Sequence, residues 1–320
     1  MAKAPASKKA PVKGKPSAKV QSPAKANTGR PAGLFTWIAV GLVVIVVAAL
    51  VIIKVTTGSN AATTSSFQAT DATTVSQVTK VPMSVFNKIG VTSPVAQVTA
   101  PIPLKNQPAF TGTSSTGATV PKIFYLGAEY CPFCAAERWS TIVALSRFGT
   151  WKNLGNMLSS TYTGEYAPGT PTFTFLKATY SSKYLAFASI EQYNNIFNTA
   201  LNFYSPLQTP TKAEQANFKK YDTSKYIPGI TAQQDYSIPY MTIGNKYIVS
   251  GASFTPLTLA NLTRSQIAAG LSDPTSPVTA AIITSANYQT ATYCTLTHNQ
   301  PGNVCLSPGV KAAKKAMGIK

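Results

Sequence analysis

Apolar positions change period several times along the chain, and each change marks a predicted element. Residues 34–53, LFTWIAVGLVVIVVAALVII, are apolar without period and carry no charge. As a helix with about 1.5 Å rise per residue they would reach about 30 Å, the hydrocarbon thickness of a bilayer. Residues 122–128, KIFYLGA, are a continuous apolar run of strand length that includes a glycine near its end. The stretch that follows, AAERWSTIVALSRFG, sets Trp139, Ile142, Val143 and Ser146 at helical spacing, with Gly149 as a stop. Residues 172–180 alternate as a strand, and residues 189–204, SIEQYNNIFNTALNFY, read as a helix that stops before Pro206. Thr211 and Glu214 form a capping box at the head of a further helix. Residues 238–252, IPYMTIGNKYIVSGA, are two apolar runs joined at Gly244-Asn245, a hairpin. Thr263 and Gln266 cap a short helix, and Ser276 with Pro277 opens a longer one over 276–294. The predicted order is β, α, β, a helical stretch, a β-hairpin and α, with no internal repeat.

Charge changes the picture of partners. The 320-residue chain has a formal net charge of +19. Residues 1–30 hold eight Lys and Arg and no acid, and the last ten residues add Lys311, Lys314, Lys315 and Lys320. Between 55 and 310 there are 15 Lys and Arg against all 9 acids of the chain. The basic excess therefore lies in the tails, whereas a nucleic-acid domain carries it on a folded face among aromatics. Nucleic acid is excluded as the main partner. The lopsided flanks of residues 34–53 place 1–33 in the cytoplasm and everything after the span outside. The run is longer than a signal-peptide core and no A-x-A site follows, so we expect a retained single-span anchor at the cell membrane.

These shifts divide the chain into a disordered basic tail (1–33), a transmembrane helix (34–54), a flexible Thr/Ser/Ala-rich linker (55–80), one folded extracytoplasmic domain (81–310) and a basic C-terminal tail (311–320).

The chemistry concentrates in residues 125–140, YLGAEYCPFCAAERWS, which hold two of only four cysteines. Cys131 and Cys134 follow a predicted strand and open a helix, where unpaired N–H groups and the positive dipole end favour a thiolate. The spacing suits a redox pair. Half of a zinc site would need Cys294, Cys305 and the sole histidine, His298, whose spacing is unlike a zinc knuckle. A structural bridge across one helical turn would close a tiny loop and stabilise little. The redox use fits best, with Cys131 attacking and Cys134 resolving. Glu129 and Glu137 bracket the pair, and a nearby carboxylate raises a thiol's pKa; Glu137 reads equally as a solvated helix charge or as a proton-handling group near Cys134. Arg138 offsets that if it points inward. Cys294 and Cys305 flank a polar Pro-Gly loop and read as a structural disulfide, with a redox relay to Cys131 as the alternative. The aromatics between Tyr180 and Tyr204 read mainly as core, with a peptide-binding face as the minority reading. Asn261-Leu262-Thr263 is a weak glycosylation motif. No cofactor and no metal is called for.

The CPFC motif and the hairpin after Ile238-Pro239 resemble the thioredoxin superfamily. The segments YLGAEYCPFCAAERW, ALSRFGTW, TFTFLKATYSSKYLAF and CTLTHNQPGNVC together resemble a prokaryotic membrane-anchored family known only as a domain of unknown function, over most of residues 81–305. The resemblance implies an α/β, thioredoxin-like fold with a helical insertion, behind the transmembrane helix. It implies a cis bond at Pro239, with Ile238 and Pro239 offering backbone to an extended substrate. The function expected is thiol–disulfide exchange on protein thiols or disulfides, with a redox partner that the sequence does not identify. The alternative is a non-catalytic envelope binding or scaffold protein on the same fold.

Overall fold

The structure is a computed structural model that describes residues 67–92 and 97–320. The basic tail, the predicted transmembrane segment and residues 55–66 of the linker lie outside the described residues. Among the described residues no helix is long and apolar enough to cross a membrane.

In chain order the elements are helices α1 (Ala72–Thr79) and α2 (Met83–Ile89), strands β1 (Ile102–Pro103), β2 (Thr111–Thr113) and β3 (Thr119–Gly127), then helix α3 (Pro132–Ser146). Strands β4 (Thr150–Lys152), β5 (Gly155–Leu158), β6 (Pro171–Thr174), β7 (Thr179–Ser181), β8 (Ala186–Glu191), β9 (Tyr193–Asn198) and β10 (Phe203–Pro206) follow. Helix α4 (Lys212–Tyr221), strands β11 (Tyr240–Ile243) and β12 (Tyr247–Ser250), and helices α5 (Arg264–Gly270), α6 (Pro277–Leu296), α7 (Gly302–Cys305) and α8 (Pro308–Ala316) complete the chain.

The fold is mixed α/β around a central mixed sheet of order β1-β12-β11-β3-β2, with β8 also paired to β3. β11 runs antiparallel to β3 in the register Tyr240↔Leu126 to Ile243↔Ile123. β8 runs parallel to β3, from Lys122↔Ala186 to Gly127↔Glu191. Successive side chains of a strand point to opposite faces. Ile123 and Tyr125 accordingly join Trp139, Ile142 and Ile283 in the larger core, while Phe124 and Leu126 join Tyr221, Tyr240 and Ile248 in a smaller one. A strand covered on both faces is apolar throughout, which is why its buried part, residues 123–127, shows no alternation.

Four expectations are corrected. Residues 189–204 are not a helix: they are the end of β8 and the β9–β10 hairpin, with Tyr204 opposite Phe197. Asn194, Asn195 and Asn198 are poor helix formers, and the aromatics between them suit strands. Asn198 Oδ1 accepts the Ala200 and Leu201 N–H groups and so closes the turn. Of the expected helical insertion only α4 is helical, and the single strand expected over 172–180 is instead β6 and β7, parted by a turn at Leu176-Lys177.

The expected linker also ends early. Asp71 caps α1 by accepting the Thr74 N–H, and Val78 is fully buried. The Thr/Ser-rich composition concealed two inward positions one helical turn apart, Thr74 and Val78. Nor is 311–320 wholly a tail. Val310 and Ala313 form the buried stripe of α8, with Lys314 and Lys315 left outside it.

Candidate functional site

β3 ends at Gly127, and after three intervening residues the chain enters α3 through Cys131. Cys131 is the N-cap: its backbone is extended (φ −74°, ψ 121°), and Pro132 occupies the first turn, where no N–H is needed. The Cys131 sulfur accepts the Cys134 N–H at 3.2 Å. It thereby satisfies one of the unpaired donors at the helix start, the arrangement that stabilises a thiolate. Both cysteines are free thiols, Cys131 with 5% exposure and Cys134 with none.

Burial alone would push the Cys131 thiol up. Hydrogen bonds from the Cys134 side chain and N–H, with the Arg138 charge, outweigh it and hold Cys131 below its ordinary value. Cys134 is pushed well up, by burial first and then by its bond to Cys131. The two sulfurs therefore divide into an acidic one at the helix end and a protonated one beneath it.

Across from the pair stands the start of the β11–β12 hairpin. The Ile238-Pro239 peptide is cis, as the resemblance implied. The Cys131 thiol lies 3.8 Å from the Ile238 carbonyl oxygen, the acceptor it faces. Pro239 is buried, and its carbonyl accepts the Gly251 N–H at 2.8 Å.

Arg138 points inward. Its Nε and Nη2 donate to the two oxygens of Glu191 at 2.9 and 2.6 Å, and Nη2 also donates to the Ala128 carbonyl at 2.8 Å. Burial disfavours the guanidinium charge, but Glu191 outweighs it and keeps Arg138 protonated. Glu191 closes β8, so the pair ties the loop before Cys131 to the neighbouring parallel strand. Sequence reasoning missed Glu191. An acid more than fifty residues downstream gives no local signal, and only the β3–β8 register brings it here.

Glu129 accepts the Thr174 hydroxyl at 2.6 Å and is pushed up to about 7, by burial first. Glu137 is not a solvated helix charge. It is fully buried, accepts the Ser253 N–H and a Gln289 amide N–H at 2.8 and 2.7 Å, and burial pushes it to about 7. Its hydrogen-bond partners belong to the β12–α5 segment and to α6, not to the thiols.

Aromatic rings rim the pair. Tyr130 stacks on Tyr204 at 4.2 Å and meets Phe203 edge-on, and Phe133, between the cysteines, stacks on Tyr166 at 5.4 Å. A shallow cavity of about 270 Å³ lies between Phe133, Tyr166 and Ser253. The aromatic stretch 180–204 thus splits. Tyr180 and Phe187 pack on Trp151 in the core, while Phe203 is exposed at the site.

Cys294 and Cys305 form a disulfide between the last turn of α6 and α7, with their Cα atoms 5.4 Å apart. They are thereby unavailable to a metal, and His298 lies on the exposed loop they enclose. Among the described residues no group of three or more His, Cys, Asp or Glu is arranged to hold a metal ion.

These features define a mixed α/β protein with a CxxC pair at a helix N-terminus. Residues 111–295 match the family model described as Domain of unknown function (DUF929), more than half of the chain, and the protein belongs to that family. Comparison with curated proteins and with solved structures finds no match.

Proposed function

We propose that this protein is a membrane-anchored, extracytoplasmic thiol–disulfide oxidoreductase on a thioredoxin-like fold. One observation carries the reading: Cys131 caps a helix, accepts the Cys134 N–H, is held acidic, and faces the carbonyl that precedes a cis-proline. In the reductive direction the Cys131 thiolate attacks one sulfur of a client disulfide. The bond formed is the mixed disulfide, and the other client sulfur leaves as a thiolate and takes up a proton. Cys134, deprotonated, then attacks Cys131, closing the Cys131–Cys134 disulfide and releasing the reduced client. The electron pair passes from the protein's dithiol to the client, and oxidation of a client runs the same steps backward. Ile238 and Pro239 present backbone to the client strand. The membrane placement is supported by the uncharged residues 34–53 and their one-sided basic flank. A disulfide at Cys294–Cys305 suits an oxidising compartment.

The second reading, a non-catalytic scaffold, is favoured by the near-complete burial of both thiols. One experiment separates the two. Cys134→Ser in intact cells should accumulate reductant-sensitive mixed disulfides through Cys131, whereas Cys131→Ser should not. A membrane-impermeant maleimide added beforehand should block the capture if the domain lies outside. No capture by folded Cys134→Ser, with Cys131 alkylating no faster than an ordinary thiol, would leave the scaffold. Capture that the impermeant reagent leaves untouched would overturn the topology alone.

A further inference from the structure

We infer that Asp222 is a positioning residue for the segment that ends at Ile238, and that its charge state governs how that segment meets a client. The inference rests on the oxidoreductase reading for its consequence and on Asp222's own surroundings for its geometry.

Asp222 closes α4, its N–H bonding the Phe218 carbonyl at 2.9 Å. Its carbonyl accepts the Tyr236 N–H at 2.9 Å, and Asp235 Oδ1 accepts the Ser224 N–H at 2.6 Å. The Ser237 hydroxyl donates to the Gln234 carbonyl at 2.7 Å. Residues 235–237 are thus fastened to the end of α4, and the next residue is Ile238, opposite the Cys131 sulfur. The Asp222 side chain is fully buried, yet neither oxygen completes a hydrogen bond. The Ser237 N–H and the Ser250 hydroxyl face it. Ser250 belongs to β12 and pairs with Tyr240, the first residue of β11. The carboxylate therefore sits among the three pieces that frame the cis-proline: the end of α4, the incoming segment and the hairpin.

A buried polar group without partners calls for an explanation, since nearly all such groups are satisfied. An ionised carboxylate here must draw in the Ser237 N–H and the Ser250 hydroxyl, and a protonated one needs them less. Burial pushes Asp222 up to about 6; Ser250 and Ser237 pull it back, and the Asp235 charge adds to the rise. Of the other titratable groups, Tyr240 of β11 faces it with its own proton held on by burial, and no cation among the described residues acts on Asp222. Ionisation tightens the grip on Ser237 and fixes the Ile238 carbonyl. Protonation releases it. Asp222 touches neither thiol, so its effect on exchange passes through the segment.

The test follows three readouts of the full chain between pH 5 and 8. They are disulfide exchange with an oxidised cysteine-bridged peptide, alkylation of Cys131 by a small reagent, and hydrogen exchange of the amides of residues 235–238, corrected for intrinsic pH dependence. Peptide exchange, corrected for the thiolate fraction that alkylation reports, should fall below about pH 6 by about threefold or more, the scale of one weakened hydrogen bond. Protection of 235–238 should fall with it. Asp222→Asn should flatten both profiles and leave alkylation unchanged. Ser250→Ala removes one donor, keeps the carboxylate and should move the step to higher pH, which keeps the test open if Asp222→Asn fails to fold. A step that survives in Asp222→Asn, or a wild-type protection profile with no step, overturns the inference. A protection step lost in Asp222→Asn, in a folded protein that exchanges with no peptide at any pH, retains the positioning role and overturns the oxidoreductase reading instead.

Discussion

At the residue scale, Arg138 shows how a magnitude decides what a contact is for. It is fully buried and paired with an equally buried Glu191, and its Nη1 finds no partner. Desolvating two ions costs several kcal/mol each, so such a pair rarely stabilises more than apolar residues of the same shape would. Its consequence is electrostatic: the guanidinium charge is one of the groups holding Cys131 acidic. Arg138→Met alone should cost about 3–5 kcal/mol, because it strands the Glu191 charge. Adding Glu191→Leu should recover much of that in chemical denaturation. The double variant should still alkylate more slowly at Cys131 near neutral pH, since the positive charge is gone. Full recovery of alkylation together with stability would remove Arg138 from the chemistry.

Glu129 belongs to the same scale. Its carboxyl stands near 4.5 when unfolded and at about 7 in the fold, so between those values the folded state holds the extra proton. Stability from this group is present below about pH 4.5 and is lost as pH rises through about 7. The wild-type melting temperature should therefore fall from pH 5 to pH 8. Glu129→Gln keeps an acceptor for the Thr174 hydroxyl and should remove on the order of 1–3 kcal/mol of that fall. A thermal profile of unchanged slope in the variant would reject the assignment.

At the element scale, the reach of local signals becomes visible. The strand before the cysteines, the helix after them and the β11–β12 hairpin were legible, because each rests on neighbours in sequence: an apolar run, a 3.6-residue spacing, a Gly-Asn turn with φ of 60° and 54°. The three capping assignments at Thr211, Thr263 and Ser276 hold as well, since a cap is satisfied within three residues. The β9–β10 hairpin was not legible. Its aromatic residues fall at spacings a helix also permits, and what settles it is Tyr130 and Ser160 receiving Tyr204 from elsewhere in the chain. The Cys294–Cys305 bridge also acts at this scale, pinning α7 to the end of α6. By chain entropy a loop of this size is worth about 2–3 kcal/mol. Replacing both cysteines with serine should lower the melting temperature accordingly and leave Cys131 alkylation unchanged. A folded variant that lost mixed-disulfide capture would make the bridge part of the redox path.

At the scale of the whole molecule, the sequence by itself determined the strand–CxxC–helix unit, the hairpin that opens with Ile238-Pro239, the concentration of charge in the tails and the pairing of the last two cysteines. These are properties of adjacent residues or of composition, and local physics is enough to produce them. Only the tertiary structure decided that Glu191 would neutralise Arg138, that Glu137 would turn from solvent to Gln289, that Asp222 would reach the proline segment, and that α1 and α8 would belong to the fold. Each of these joins positions tens to hundreds of residues apart. The sign and the partner of a buried charge depend on which strand lies beside which, and that is set by the register of β3 with β8 and β11, a choice made by packing both sheet faces at once.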